Sequence, residues 1–334
     1  MSRKKNSMIG WLVGLLLFSS PAIWAQTIDV PAHDPVAIRE KDTYHLFCTG
    51  RGIDHFTSQD MVTWQKVAPV FPEKPAWTDG VVPDFKNHIW APDILYHNGL
   101  FFLFYSVSAF AKNTSAIGVA TNKTLDVNAG NYAWTDHGIV VQSHPNRDLW
   151  NAIDPNIAFD EAGTPWMTFG SFWEGMKLVK LDKSLLKIAE PQEWHTLARR
   201  ERDFNLGDYN PGDAALEAPF IFKKQDWYYL FLSWDYCCRG ENSTYKVVVG
   251  RSRDLTGPYF DKEGRNLFHG GGSLLLEGNK NWFGAGHSST YTFGDKDYLF
   301  FHAYDKNDNG KAKLAIRELG WTSNDWPFIV EPRK

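Results

Sequence analysis

His33-Asp34-Pro35-Val36-Ala37-Ile38, followed by Tyr44-His45-Leu46-Phe47, decides how the rest of the chain is read. It places an acidic residue at a strand mouth, then a short strand, a turn at Lys41-Asp42 and a second, aromatic-rich strand. The phrase returns four times. Trp90-Ala91-Pro92-Asp93 precedes Leu100-Phe101-Phe102-Leu103, and Ile153-Asp154-Pro155-Asn156 precedes Trp166-Met167-Thr168-Phe169. Glu217-Ala218-Pro219-Phe220 precedes Tyr228-Tyr229-Leu230-Phe231, and Gly286-His287-Ser288-Ser289 precedes Tyr298-Leu299-Phe300-Phe301. The proline positions, with Ser288 as the fifth, are 57, 63, 64 and 69 residues apart. Repetition at such a period marks a repeat architecture.

Turn-forming stretches fall at one place in each copy: Lys41-Asp42, His97-Asn98-Gly99, Glu161 to Thr164, Lys224 to Asp226 and Gly294 to Asp297. These are hairpin signals. Third strands follow at Ile53–Ser58, Ala116–Ala120, Met176–Leu181, Tyr245–Gly250 and Lys313–Arg317, with weaker fourth strands at Trp64–Val67 and Trp134–Asp136. Thr27 to Pro31 reads as a lead-in strand or linker. No segment has the 3.6-residue periodicity of a long helix. Four strands per unit and five units predict an all-β, five-bladed β-propeller in a single domain. A β-sandwich leaves the recurrence of the acidic motif at each first strand unexplained.

The N-terminus reads differently. Arg3-Lys4-Lys5 is a basic region, Ile9 to Phe18 an apolar one, and Ser19 to Ala25 a run containing the small residues that precede cleavage. An apolar stretch this short falls below the ~20 residues that span a bilayer. Residues 1–25 are therefore expected to be a secretory signal peptide, and 26–334 the catalytic propeller, secreted or periplasmic. Without Arg3, Lys4 and Lys5, 32 basic side chains face 39 acidic ones, a net charge near −7. That balance argues against nucleic acid and anionic membrane as partners. Three cysteines make no disulfide framework. Cys48 reads as a buried, inert thiol, and the adjacent Cys237 and Cys238 can form a vicinal disulfide. The 15 Trp, 13 Tyr and 23 Phe suit both a large β core and sugar stacking.

In a propeller the first strand of each blade lines the central channel. Asp34, Asp154 and Glu217 therefore converge on one mouth, together with Trp90 and His287. Crowded carboxylates repel and raise one another's pKa, which is costly unless they act on something. An acid and a base beside aromatics, with no redox or phosphate motif, point to glycoside hydrolysis.

The chain resembles glycoside hydrolase family 43, and within it the arabinanases. The resemblance rests on His33-Asp34-Pro35, Trp90-Ala91-Pro92-Asp93, Trp150-Asn151-Ala152-Ile153-Asp154-Pro155, Gly170-Ser171-Phe172-Trp173 and Glu217-Ala218-Pro219. Cys237-Cys238 with Ser243-Thr244-Tyr245, and Val249-Gly250-Arg251-Ser252, complete it. It implies cleavage of α-1,5-linked L-arabinan with inversion, Asp34 as general base, Glu217 as general acid and Asp154 as orienter and pKa modulator. The two carboxyl groups should then stand about 6.5–9.5 Å apart. The resemblance also implies that His287 helps hold a hydrated calcium ion, with no organic cofactor. Trp90, Phe110, Asn151, Ile153 and Ser171 become candidate sugar contacts, core packing being the alternative for Trp90 and Phe110. A monomer acting on polysaccharide is expected. β-Xylosidase or α-L-arabinofuranosidase action, or a non-catalytic polysaccharide-binding propeller, are the alternatives. Arg199-Arg200-Glu201-Arg202-Asp203 reads as a solvated loop that could border the groove.

Overall fold

A computed structural model describes residues 27–331, so the expected signal peptide lies outside the described residues. Five antiparallel sheets follow one another along the chain. Blade 1 is built from Val36–Glu40, Thr43–Cys48, Asp54–Ser58 and Gln65–Lys66, and blade 2 from His88–His97, Leu100–Val107, Ser115–Asn122 and Thr135–Ser143. Gly50–Arg51 adds a short edge to blade 2. Blade 3 comprises Asn156–Phe159, Pro165–Phe169, Met176–Lys180 and Trp194–Ala198. Blade 4 comprises Leu216–Lys224, Trp227–Trp234, Lys246–Ser252 and Ser273–Glu277. Blade 5 has Trp282–Phe293, Lys296–Asp305 and Lys311–Trp321. The first strands touch in cyclic order, the fifth returning to the first, so the sheets close into a ring. The five-bladed propeller expected from the repeat is the fold.

Thr27–Pro31 is more than a lead-in. It pairs with Lys311–Trp321 in blade 5, and Pro327–Ile329 pairs further along the same strand. The outer strand of the last blade thus comes from both ends of the chain. This closure leaves no long unpaired edge between the first and last blades.

The five hydrophobic clusters are the five seams between blades. Phe47, Ile53, Leu103 and Tyr105 join blades 1 and 2, and Phe104, Ile117, Met167 and Phe169 join blades 2 and 3. Leu178, Leu216, Leu230 and Tyr259 join blades 3 and 4; Phe231, Val249, Leu299 and Phe301 join blades 4 and 5. Leu46, Cys48, Phe300 and Leu314 close the ring. Cys48 is fully buried there, and burial pushes its thiol well above the usual range. The thiolate is the reactive form, so this cysteine is inert.

The residue before each proline position is a bulge. Asp34, Ala91, Asp154, Ala218 and His287 have φ of 55°, 36°, 59°, 54° and 48°. The strand pairing slips there, between Trp90 and Asp93, Glu217 and Phe220, and Gly286 and Ser289. Left-handed backbone is unfavourable for residues other than glycine, and it persists only where the surroundings hold it. A bulge re-aims side chains. Here it turns five first strands at their mouths.

Candidate active site

What holds the five bulges is a ring of hydrogen bonds between blades. The Ala91 N–H donates to Thr49 Oγ1 at 2.8 Å, Asp154 N–H to Ser106 Oγ at 3.1 Å, and His287 N–H to Ser233 Oγ at 2.8 Å. Asp34 N–H donates to His302 Nδ1 at 3.1 Å. Each acceptor lies on or just beyond the second strand of the preceding blade, and each satisfies an N–H that the bulge removes from its own sheet. At the joint between blades 3 and 4 the device changes. Ala218 N–H donates instead to the side chain of Asp154, at 3.1 Å from Oδ2. Ser171, which occupies the corresponding position, gives its hydroxyl to Glu217 Oε2 at 2.6 Å.

Glu217 accepts a second short bond, 2.6 Å from the Tyr245 hydroxyl to Oε1. The tyrosine reaches it across Gly286, where a Cβ would lie 2.2 Å from Tyr245 Cδ1. Any larger residue at 286 would displace the ring. Tyr245 is fully buried, and burial together with the charge of Glu217 pushes its phenol well above the usual range. It is a donor to the carboxylate, fixed on one side of Glu217 while Ser171 fixes the other.

Asp34 has a different environment. Oδ1 lies 2.8 Å from His33 Nδ1 and 2.9 Å from His287 Nδ1, and Oδ2 accepts from the Thr49 hydroxyl. Burial alone would favour the protonated carboxyl, but the charges of His287 and His33, with their hydrogen bonds, hold it well below the usual carboxylate range. His287 is pushed up to about 9: burial opposes the charge, and Asp34 and then Asp154 overcome it. His302 is neutral. Burial, then the charge of His33, hold it well below the usual histidine range, which suits Nδ1 as acceptor of the Asp34 N–H. Asp154 goes the opposite way to Asp34. Burial pushes it well above the usual range; His287 opposes, and Glu217 and Asp34 add to the rise.

His33 stands behind Asp34. Its ring stacks on His302 with centroids 3.9 Å apart, and Nε2 is 3.0 Å from the Tyr304 hydroxyl. Tyr304 also accepts from the Cys238 N–H at 2.7 Å. Cys237 and Cys238 are joined by a disulfide, and Cys238 Sγ lies 3.7 Å from His33 Nε2.

A family model described as glycosyl hydrolases family 43 matches residues 27–327. The chain belongs to glycosyl hydrolase family 43. It is 54% identical over 322 residues, 96% of this chain and 92% of the relative, to an extracellular exo-α-(1→5)-L-arabinofuranosidase of Cellvibrio japonicus. It is 40% identical to an extracellular endo-α-(1→5)-L-arabinanase of Bacillus subtilis, covering 93% of both chains. A Cellvibrio cellulosa α-L-arabinanase solved with arabinohexaose superposes with a TM-score of 0.89 at 54% identity, over 90% of this chain and 96% of that one.

The other family 43 site candidates are placed unevenly. Trp90 is half-buried on the first strand of blade 2, and Phe110 stands 76% exposed on the loop after Leu100–Val107, so core packing is not its role. Ile153 is buried beside Asp154. Asn151 is buried, ties the same loop through Nδ2 to Lys112 O at 3.3 Å, and leaves Oδ1 without a partner. Ser171 spends its hydroxyl on Glu217. Thr49, Ser106, Ser233, His302, Tyr245 and Tyr304 were not singled out as site residues from the sequence. A signal for part of this set exists: Thr49, Ser106, Ser171, Ser233 and His302 each stand two residues after a phenylalanine, Phe47, Phe104, Phe169, Phe231 and Phe300.

The arginine run is a surface loop, as expected, with Glu201 and Asp203 exposed and its arginines half-buried by specific partners. Arg199 bonds Glu174 at 3.1 Å and lies 4.3 Å over the Phe268 ring, and Arg200 bonds Asp235 at 2.8 Å. Arg202 Nη2 binds the Gly207 and Asn210 carbonyls at 2.8 and 2.7 Å. Unpaired carbonyls in the following loop draw this guanidinium inward, because its forked donors match several acceptors at once.

For a calcium ion the donors fit only an outer-sphere site. Both oxygens of Asp34 and both of Glu217 are engaged by protein groups, and His287 turns Nδ1 to Asp34. Calcium ligated directly takes six to eight oxygens. With Nδ1 turned to Asp34, His287 would fit such an ion through water.

Proposed function

We propose that this family 43 enzyme hydrolyses α-1,5-L-arabinofuranosidic bonds of arabinan with inversion, as a secreted or periplasmic monomer. The substrate follows from the relatives, two of which are named for the α-(1→5) linkage and one of which was solved with arabinohexaose. The observation that carries the mechanism is the opposed treatment of carboxylates at one mouth. Asp34 is held well below the usual carboxylate range by His287 and His33, while burial pushes Asp154 well above it and Ser171 and Tyr245 grip Glu217 beside it. That environment suits Asp34 to the role of base; the role of acid falls to Glu217 by the resemblance to family 43.

Asp34 takes a proton from a water that attacks the anomeric carbon, while Glu217 gives its proton to the departing glycosidic oxygen. Asp154, through the Ala218 N–H, fixes the bulge that carries Glu217 and so orients the acid. A hydrated calcium ion, where bound through water at His287, would add positive charge to that of the imidazolium.

Linear arabinan followed by NMR tests the reading. Inversion of an α linkage releases the β anomer first; an α anomer appearing first overturns it. The early oligomer distribution separates the modes of the two relatives: one short product from the outset means exo action, a spread of lengths endo action.

A further inference from the structure

We propose that Tyr304 and the Cys237–Cys238 disulfide are positioning groups for the base, acting through His33. The inference rests on Asp34 being that base. The contacts run in series. Cys238 N–H donates to the Tyr304 oxygen at 2.7 Å, and the same hydroxyl lies 3.0 Å from His33 Nε2, so one phenol links the disulfide to the imidazole. The other ring nitrogen, Nδ1, faces Asp34. That nitrogen is buried, has no other partner to hold it, and lies 2.8 Å from Asp34 Oδ1 in a close charge contact without an aligned hydrogen bond, so the orientation of the ring depends on what grips its Nε2 side. Burial pushes the Tyr304 phenol well above its usual range, so it is present as the O–H donor.

The parts come from distant places in the chain. His33 precedes blade 1, Tyr304 is on the second strand of blade 5, and the disulfide lies beyond Trp227–Trp234 of blade 4. His302 holds the ring from one face, at 3.9 Å between centroids, and Cys238 Sγ lies 3.7 Å from Nε2. Cys238 itself has a φ of 64°, a left-handed conformation that aims its N–H at Tyr304. The disulfide covalently ties that residue to its neighbour, which restricts how the N–H can turn. Reduction adds two electrons and two protons, supplied by a phosphine reductant and solvent, and gives two thiols free to rotate independently. The restraint on Tyr304, and through it on His33 and Asp34, is then lost.

Tyr304→Phe keeps the ring and removes only the hydroxyl. Expected is a fall in kcat on arabinan of about ten-fold with KM within about two-fold, because the lost contact acts on the base and not on the sugar. The ¹⁵N resonances of the His33 ring should shift, Nε2 most, because it loses its hydroxyl partner; simple loss of stability does not produce this signature. Cys237→Ser/Cys238→Ser should lower kcat in the same sense, and a phosphine reductant should do so in the wild type but not in this double variant. Unchanged kcat and unchanged His33 ¹⁵N resonances in Tyr304→Phe, with the thermal midpoint preserved, overturn the proposal. So does a reductant effect that persists in the double variant. Failure of the underlying reading looks different: Asp34→Asn would then keep wild-type activity.

Discussion

The joint between blades 2 and 3 and the joint between blades 3 and 4 start from one design and end with different tasks. At the first, Ser106 accepts the Asp154 N–H and does nothing else for the bulge. At the second, Ser171 has turned to Glu217, and the side chain of Asp154 has taken over the Ala218 N–H. The structural bond is not abandoned; it is transferred to a carboxylate from the neighbouring blade. That transfer couples the backbone beside Glu217 to Asp154 and frees a hydroxyl to hold the Glu217 carboxylate. The site is one departure from a structural repeat, tolerated because the Ala218 N–H keeps a partner.

The largest expected effect removes what the second joint exists to hold. Glu217→Ala should lower kcat/KM on arabinan by about 10² to 10⁴, with the thermal midpoint near that of the wild type. An active variant would end the assignment of Glu217 as acid. The comparison is tested most directly by the two serines. Ser171→Ala is expected to lower kcat about ten-fold with little change in stability, since Glu217 keeps Tyr245. Ser106→Ala should leave kcat near wild type and cost about 1–3 kcal/mol in urea unfolding, because it strands a buried N–H. If both variants lose only stability, the joints are equivalent and the distinction fails.

A smaller effect concerns a second belt through the same joints. Asp93 Oδ2 accepts the Ile157 N–H at 2.8 Å, and Asn156 Oδ1 accepts the Ile221 N–H at 2.8 Å. Burial pushes Asp93 up to about 7, against the pull of its hydrogen bonds. The native state therefore favours the proton more than the unfolded chain does. This stabilisation is complete below about pH 4 and is lost as pH rises through about 7, up to about 4 kcal/mol in all. Asp93→Asn should flatten that portion of the stability–pH curve in urea titrations. An unchanged slope would show that other groups set it.

Much of this was legible in the chain because a propeller writes its axis into the sequence. The proline positions aligned five strand mouths, and three acidic residues at or one place before the bulge stood out against alanine, histidine, tryptophan and glycine. The serines, threonine and histidine that close the ring were harder to see. A single hydroxyl at a strand end carries no signal; only its recurrence two residues after a phenylalanine does. The arginine run was legible as a surface loop, but its partners, Glu174, Asp235 and the carbonyls of its own loop, are recognisable only once the chain has folded. Composition likewise left the aromatics undecided between core and sugar, and burial separates Tyr105, Phe231 and Phe300 from the exposed Phe110.

The sequence by itself determined the repeat, the number of blades and the identity of the three carboxylates, because strand alternation and turn chemistry are local and recur with a readable period. Tertiary structure decided how each carboxylate is tuned. Asp34 and Asp154 share a motif and a left-handed backbone, yet one is pushed well below the usual carboxylate range and the other well above it. The difference comes from His287, His33, Glu217 and burial, groups brought together from blades far apart in the chain. Charge–charge interaction and desolvation depend on distance in space, and only ring closure sets those distances.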